Sequence, residues 1–168
     1  MTVAIDFGTS NTVISRWNPL TQTPEILALP DLSLSLTGEA PLVPSLVYVD
    51  RPNLEGVVVG QAVRDRGLDM TDDPRFFRNF KRGIGAPLQG FVPEVEGQPL
   101  ALDQVGRWFL HTLLTRVRAI APEEDSLVFS VPVDSFEAYR LWLGDLARDL
   151  DFQEVRLIDE PTAAAQIP

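Results

Sequence analysis

A mixed α/β fold is predicted by three features of this chain. Short apolar runs bounded by turn residues lie near both ends, as strands do. Two segments, 103–120 and 134–150, carry apolar residues at helical spacing. Toward the C-terminus the order is strand, helix, strand, which joins two parallel strands by a crossover.

The elements follow in order. Val3–Phe7, Thr12–Trp17 and Glu25–Ala28 read as a β-meander, turned first through Gly8 to Asn11 and then through Asn18-Pro19. Residues 30–41 are a loop of Ser, Leu and Gly. Ser45–Val49 and Gly56–Val59 alternate as strands around Arg51-Pro52-Asn53, and Gln61–Gly67 reads as a short helix. Asp72-Asp73-Pro74 opens a turn and a further short helix through Phe76, Phe77 and Phe80, whose rings are expected to fill a small lobe.

Helix 103–120 places Leu102, Val105, Phe109, Leu113 and Val117 on one stripe. Asp103 in its first turn and Arg116 and Arg118 in its last complement the helix dipole, and Pro122 stops it. Leu127–Val131 is a nearly unbroken apolar run, expected to be a central strand covered on both faces. Asp134-Ser135-Phe136-Glu137 is a capping-box pattern for the next helix. That helix buries Phe136, Tyr139, Leu143, Leu146 and Leu150, and the strand Glu154–Ile158 follows. Pro161 fits the first turn of a final helix, where its missing N–H costs little.

Bulk properties narrow the function. With 168 residues, 45% of them hydrophobic, the chain can bury a substantial core. A net charge of −10 argues against DNA, RNA or an anionic membrane held on a broad basic face. Nucleotide is not excluded, because local loops and a metal handle it. The absence of Cys excludes disulfides, thiolate catalysis and Cys-based zinc sites, and fits a reducing cytoplasm. No basic segment leads into an apolar stretch at the N-terminus, so no secretory leader is expected. No apolar run reaches the roughly 18 residues that span a bilayer. The lone His111, inside a helix, reads as a packing or surface residue.

The tip of the first hairpin carries the clearest chemistry. Asp6, Gly8, Thr9, Ser10 and Asn11 follow directly on an apolar strand. Gly8 permits a tight turn and close backbone approach. Thr9, Ser10 and the turn N–H groups can donate to an anion. A carboxylate ending a buried strand is costly without a partner, and a hydrated Mg²⁺ is one. Taken alone, the pattern equally fits a turn whose Asp and Thr cap their own backbone.

Three further pieces are Pro44-Ser45-Leu46-Val47, Lys81-Arg82-Gly83-Ile84-Gly85, and the run from Val131-Pro132 to Asp159-Glu160-Pro161-Thr162-Ala163-Ala164-Ala165. Lys81 is the only lysine in the chain. A compact ammonium suits a point contact to a phosphate or an attacking water better than a planar guanidinium does. In this order the pieces resemble the seventy-kilodalton heat-shock chaperones (DnaK-like proteins), within the superfamily of actin, sugar kinases and chaperone ATPases. The intervals from Pro132 to Arg140 and from Pro132 to Glu160 match that family too.

The resemblance implies an actin-like, ribonuclease H-like ATPase fold. A βββαβα sheet subdomain would use 1–34 plus 102–168, with a smaller α/β insertion at 35–101. It implies ATP/ADP and Mg²⁺ as ligands, with Asp6 holding the metal through water. Gly8, Thr9, Ser10 and Asn11 would line the phosphates; Asn11 stands where the chaperones commonly carry an aromatic residue. Lys81 and Glu160 would act on the γ-phosphate and its water, and Pro132 and Arg140 would couple to a partner domain. A second ATPase lobe, a client-peptide domain, a J-domain co-chaperone and a nucleotide exchange factor are the implied partners.

The family's second, Gly-rich phosphate loop and its adenosine segment have no counterpart here, since the 11 glycines include no Gly-Gly pair. The expectation is therefore the first lobe of a nucleotide-binding domain, half of a site and by itself weakly active at most. Alternatives are an actin-like cell-shape filament protein, a sugar or carboxylate kinase, and a nucleotide-free interaction module with the same fold. The Lys81 motif speaks against the filament protein.

Overall fold

The computed structural model describes residues 2–86, 90, 92–132, 137–150 and 152–159. The α/β class is found: one mixed sheet carries the first and the last described strands, with helices packed on it and smaller sheets beside it. Strand β1 (Thr2–Phe7) pairs antiparallel with β2 (Asn11–Asn18), which pairs with β3 (Thr23–Ile26) and the two-residue β4 (Val43–Pro44). On its other side β1 pairs parallel with β10 (Ser126–Val131), and β10 pairs parallel with β11 (Glu154–Asp159). The order is thus β11-β10-β1-β2-β3. The third strand sits two residues earlier than the sequence suggests. Leu27, still bonded through its N–H to the Ile14 carbonyl at 2.8 Å, and Leu29 beyond it turn into the core, at 7% and 1% exposure.

A second sheet has the order β6-β5-β7, from β5 (Leu46–Val49), β6 (Val57–Val59) and β7 (Phe76–Arg78), with α1 (Gln61–Asp65) beside it. Here one expectation fails. Phe76 and Phe77 lie on a strand, and Phe80 opens a separate 3₁₀ turn, Phe80–Gly83. Pairing with β5 sets the first two residues on opposite faces. Asn79, with a left-handed φ of 56°, then breaks the strand. The rings do not fill one small lobe either. Phe77 and Phe80 join the main core, whereas Phe76 packs with Leu46, Tyr48 and Val63. A two-residue-per-strand hairpin, β8 (Glu94–Val95) and β9 (Gln98–Pro99), leads into the long helix α2 (Leu102–Ile120).

On α2 Val105, Phe109, Leu113 and Val117 of the predicted stripe are buried, Leu102 at its first turn is half-buried, and Trp108, Leu110 and Leu114 are buried as well. The extra width arises because α2 shares one cluster with the main sheet, the small sheet and α3 (Glu137–Asp149). Tyr139, Leu143 and Leu146 of α3 are buried as expected, and Trp142 and Ala147 join them. The capping-box residues Asp134, Ser135 and Phe136 lie outside the described residues, as does Pro161 with its final helix. Strand β10 is covered less fully than its apolar run suggests. Leu127, Phe129 and Val131 are buried, while Ser126, Val128 and Ser130 alternate with them half-exposed. Both α2 and α3 pack into the cluster that holds the buried three. Among the described residues no helix is long and apolar enough to cross a membrane.

The small sheet is stapled by charge. Arg75 pairs with Asp73 at 3.1 Å and lies 5.0 Å over the Tyr48 ring, whose hydroxyl donates to Asp73 at 3.2 Å. The hydrogen bonds from Arg75 hold the Asp73 carboxyl below its usual range. Burial, then the neighbouring Asp73, pushes the Tyr48 phenol up. The two signs differ. A depressed carboxyl stabilises the fold above its unfolded pKa and loses that contribution as pH falls through the folded value. A raised phenol stabilises it below its unfolded pKa and loses that contribution as pH rises through the folded value. Urea midpoints of wild type and Asp73→Asn are therefore expected to differ most near neutrality and to converge below about pH 4. A gap that stays constant as pH falls from about 4 to about 2 would remove Asp73 from the acid limb.

Candidate functional site

The site assembles where three parallel strands end together. Asp6 of β1 stands opposite Ser130 of β10, and Asp159 of β11 stands opposite Val131. Alternation along β1 puts Val3, Ile5 and Phe7 in the core and turns Asp6 to the other face, exposed. Ser130 Oγ donates to Asp6 Oδ1 at 2.8 Å, which tethers one oxygen of this exposed carboxylate. The predicted hairpin tip follows at once. Thr9 is half-buried, and Ser10 and Asn11 are exposed.

Gly8 is required by space. A Cβ there would lie 2.2 Å from the Asn11 carbonyl oxygen. Ser45 clamps the same tip. Its Oγ donates to the Gly8 carbonyl at 2.8 Å and lies 3.0 Å from Thr12 Oγ1, and its N–H donates to the Ser10 carbonyl at 2.9 Å. Gly8→Ala must open this clamp, and a cost of about 1–3 kcal/mol is expected. Thermal melts of the two proteins measure it; an unchanged midpoint would mean the turn relaxes freely.

Lys81 arrives from the 3₁₀ turn after β7. Phe80 anchors that turn, with its ring 6.1 Å from Phe7 and 5.5 Å from Phe109. Lys81 Nζ then stands 5.5 Å from the centre of the Phe7 ring, at the last residue of β1. Lys81 and Asp6 therefore both reach the end of β1, the lysine beside the Phe7 ring and the carboxylate one residue earlier on the strand.

Arg140, in the first turn of α3, donates to the Pro132 carbonyl at 3.4 Å and pairs with Asp159 at 2.5 Å. The two residues singled out as a coupling pair are therefore in direct contact, and Arg140 also holds the end of β11. Glu160 lies outside the described residues. Ser45, Ser130 and Asp159 escape a reading of the sequence as site residues. Ser130 had a visible signal, being the one polar residue within Leu127–Val131. The role of Asp159 depends on α3 folding back beside β11.

Among the described residues no group of three or more His, Cys, Asp or Glu is placed to hold a metal directly. No family model matches the chain. Among curated proteins, it is 28% identical over 185 aligned residues to the chaperone protein HscA of Yersinia enterocolitica. It is 27% identical over 185 residues to the chaperone protein HscA of Salmonella agona. The chain spans 28% of the length of each of these relatives. With 98% of the chain covered in both comparisons, it is distantly similar to HscA chaperones along almost its whole length, as the motifs implied.

Proposed function

We propose that this chain is the first lobe of the nucleotide-binding domain of a DnaK-like, ATP-hydrolysing chaperone, and supplies half of the nucleotide site. The observation that carries the reading is the exposed Asp6 carboxylate, tethered by Ser130 at the end of an otherwise buried strand beside the Gly8 turn. The similarity to HscA supports the same reading. On it, the fold is the actin-like, ribonuclease H-like one, with a sheet subdomain of 1–34 plus 102–168 and an insertion at 35–101.

A hydrated Mg²⁺ fits the residues present. One exposed carboxylate with neighbouring hydroxyls offers hard oxygen ligands, too few for a cage, which suits a metal that keeps most of its water. When bound, the metal supplies neutralisation of phosphate charge. Asp6 would hold its water shell. Thr9, Ser10, Asn11 and the Gly8 turn would orient the phosphates of ATP or ADP through N–H and O–H donors. Lys81 would stabilise charge developing at the γ-phosphate, and Glu160 would orient the attacking water. Arg140 and Pro132, tied to each other and to β11, would pass movement of that strand end to a partner domain. In the longer protein we assign a second lobe, a client-peptide domain, and J-domain and exchange-factor partners, in the cytoplasm.

Half of a cleft neither contacts the adenosine nor closes against water. The isolated chain is therefore expected to bind ATP·Mg²⁺ with a dissociation constant of about 0.1 mM or weaker, near the low end of specific affinities. Calorimetry with and without Mg²⁺, on wild type and Asp6→Asn, tests this. Sub-micromolar binding would overturn the half-site reading. Metal-independent binding that ignores Asp6→Asn would overturn the role of Asp6.

A further inference from the structure

The Lys81 ammonium is held between two aromatic rings. Nζ stands 5.5 Å from the centre of Phe7 and 5.8 Å from the centre of Tyr139. Both lie within the roughly 6 Å over which a ring face attracts a cation. Phe7 is fully buried and Tyr139 is 4% exposed, so the attraction acts in a low-dielectric setting. Trp142 stacks on Tyr139 at 6.0 Å, with an interplanar angle of 19°, and so fixes the tilt of that ring.

The turn that carries the lysine is also tied by its backbone to both long helices. Gly85 donates its N–H to Asp103 at the start of α2, at 2.8 Å. A Cβ on Gly85 would lie only 2.8 Å from the Tyr139 backbone nitrogen. The first turn of α3 therefore touches the loop through both backbone and ring. The next residue on that turn, Arg140, grips Asp159 and the Pro132 carbonyl. One turn of helix thus joins the lysine loop to the ends of two strands.

We propose that Tyr139 is a positioning residue for Lys81: with Phe7, its ring sets where the ammonium stands at the end of β1 and ties it to the first turn of α3. The consequence for turnover rests on the ATPase reading above; the position itself is measurable without nucleotide.

Because the chain has a single lysine, reductive methylation with ¹³C-formaldehyde places one labelled side-chain amine in it. In wild type the dimethyl-lysine resonance should be displaced by the ring currents. Tyr139→Phe should keep that displacement, and Tyr139→Leu should move the resonance toward the free dimethyl-lysine position. A Tyr139→Leu protein with native circular dichroism and an unmoved resonance would overturn the proposal. Tyr139→Met, unbranched and helix-favouring, makes the same comparison if the Leu variant does not fold.

In the longer protein, single-turnover hydrolysis should fall roughly threefold to tenfold in Tyr139→Leu, with KM little changed, and recover in Tyr139→Phe. Unchanged turnover in Tyr139→Leu, where Lys81→Ala slows the reaction, would overturn the positioning role. If Lys81→Ala itself has no effect, the ATPase reading fails, and the methyl resonance still judges the ring contact.

Discussion

Lys81→Ala in the longer protein is expected to leave ATP affinity within a few-fold and to slow hydrolysis about a hundredfold. The split follows from where the charge is needed. On the proposed reading, metal and backbone donors would already neutralise the triphosphate in the ground state. In the transition state, charge builds on the transferring group and the nucleophile, and a fixed ammonium contributes most there. The position of Lys81 is well prepared for that task. Phe80 anchors its turn in the core at 2% exposure, and the Phe7 ring stands 5.5 Å from Nζ. Single-turnover hydrolysis, with binding measured separately, checks the split. Equal loss of affinity and rate would mean that the lysine binds ground and transition states alike. No loss of either would leave it a packing residue on Phe7.

Phe109→Ala should be among the most damaging substitutions in the chain, at about 3–5 kcal/mol. Phe109 is fully buried at the middle of α2, with ring centres of Phe7 at 5.7 Å and Phe80 at 5.5 Å. Its removal opens a cavity where the end of β1, the lysine turn and the long helix meet. Total stabilities of domains are about 5–15 kcal/mol, so a large fraction is lost. Urea unfolding measures the shift, and Phe109→Leu should recover much of it by refilling the volume. The same cavity lies under both Phe7 and Phe80, so on the proposed reading ATP hydrolysis by the longer protein should fall with stability. A loss below about 1 kcal/mol would show that the three rings do not form one packed unit.

The comparison of Phe80 with Phe109 shows what kind of information each level holds. Phe109 belongs to a helix long enough for the 3.6-residue repeat to state its burial outright, so α2 and its stripe were legible in sequence. The bounds of β1, β2, β10 and β11 were legible to within a residue, because period-two alternation and turn residues act within a few positions. So were the hairpin tip, the lone lysine and the resemblance to DnaK-like chaperones, since these reside in residue identity and local spacing. Phe76, Phe77 and Phe80 were not. Three rings within five residues fit a helix or a strand equally, and only pairing with β5 sent Phe76 to one cluster and Phe77 to another. The same limit applies to the site. Ser130 reaches Asp6 from 124 residues away, and Ser45 reaches Gly8 from 37. Tyr139 and Arg140 meet Lys81, Pro132 and Asp159 only because α3 folds back beside β11. By itself the sequence singled out the residues proposed for phosphate chemistry and the two long helices and central strands of the fold. The tertiary structure decided which partners orient those residues, because contacts between distant segments are set by register and packing, which no local repeat encodes.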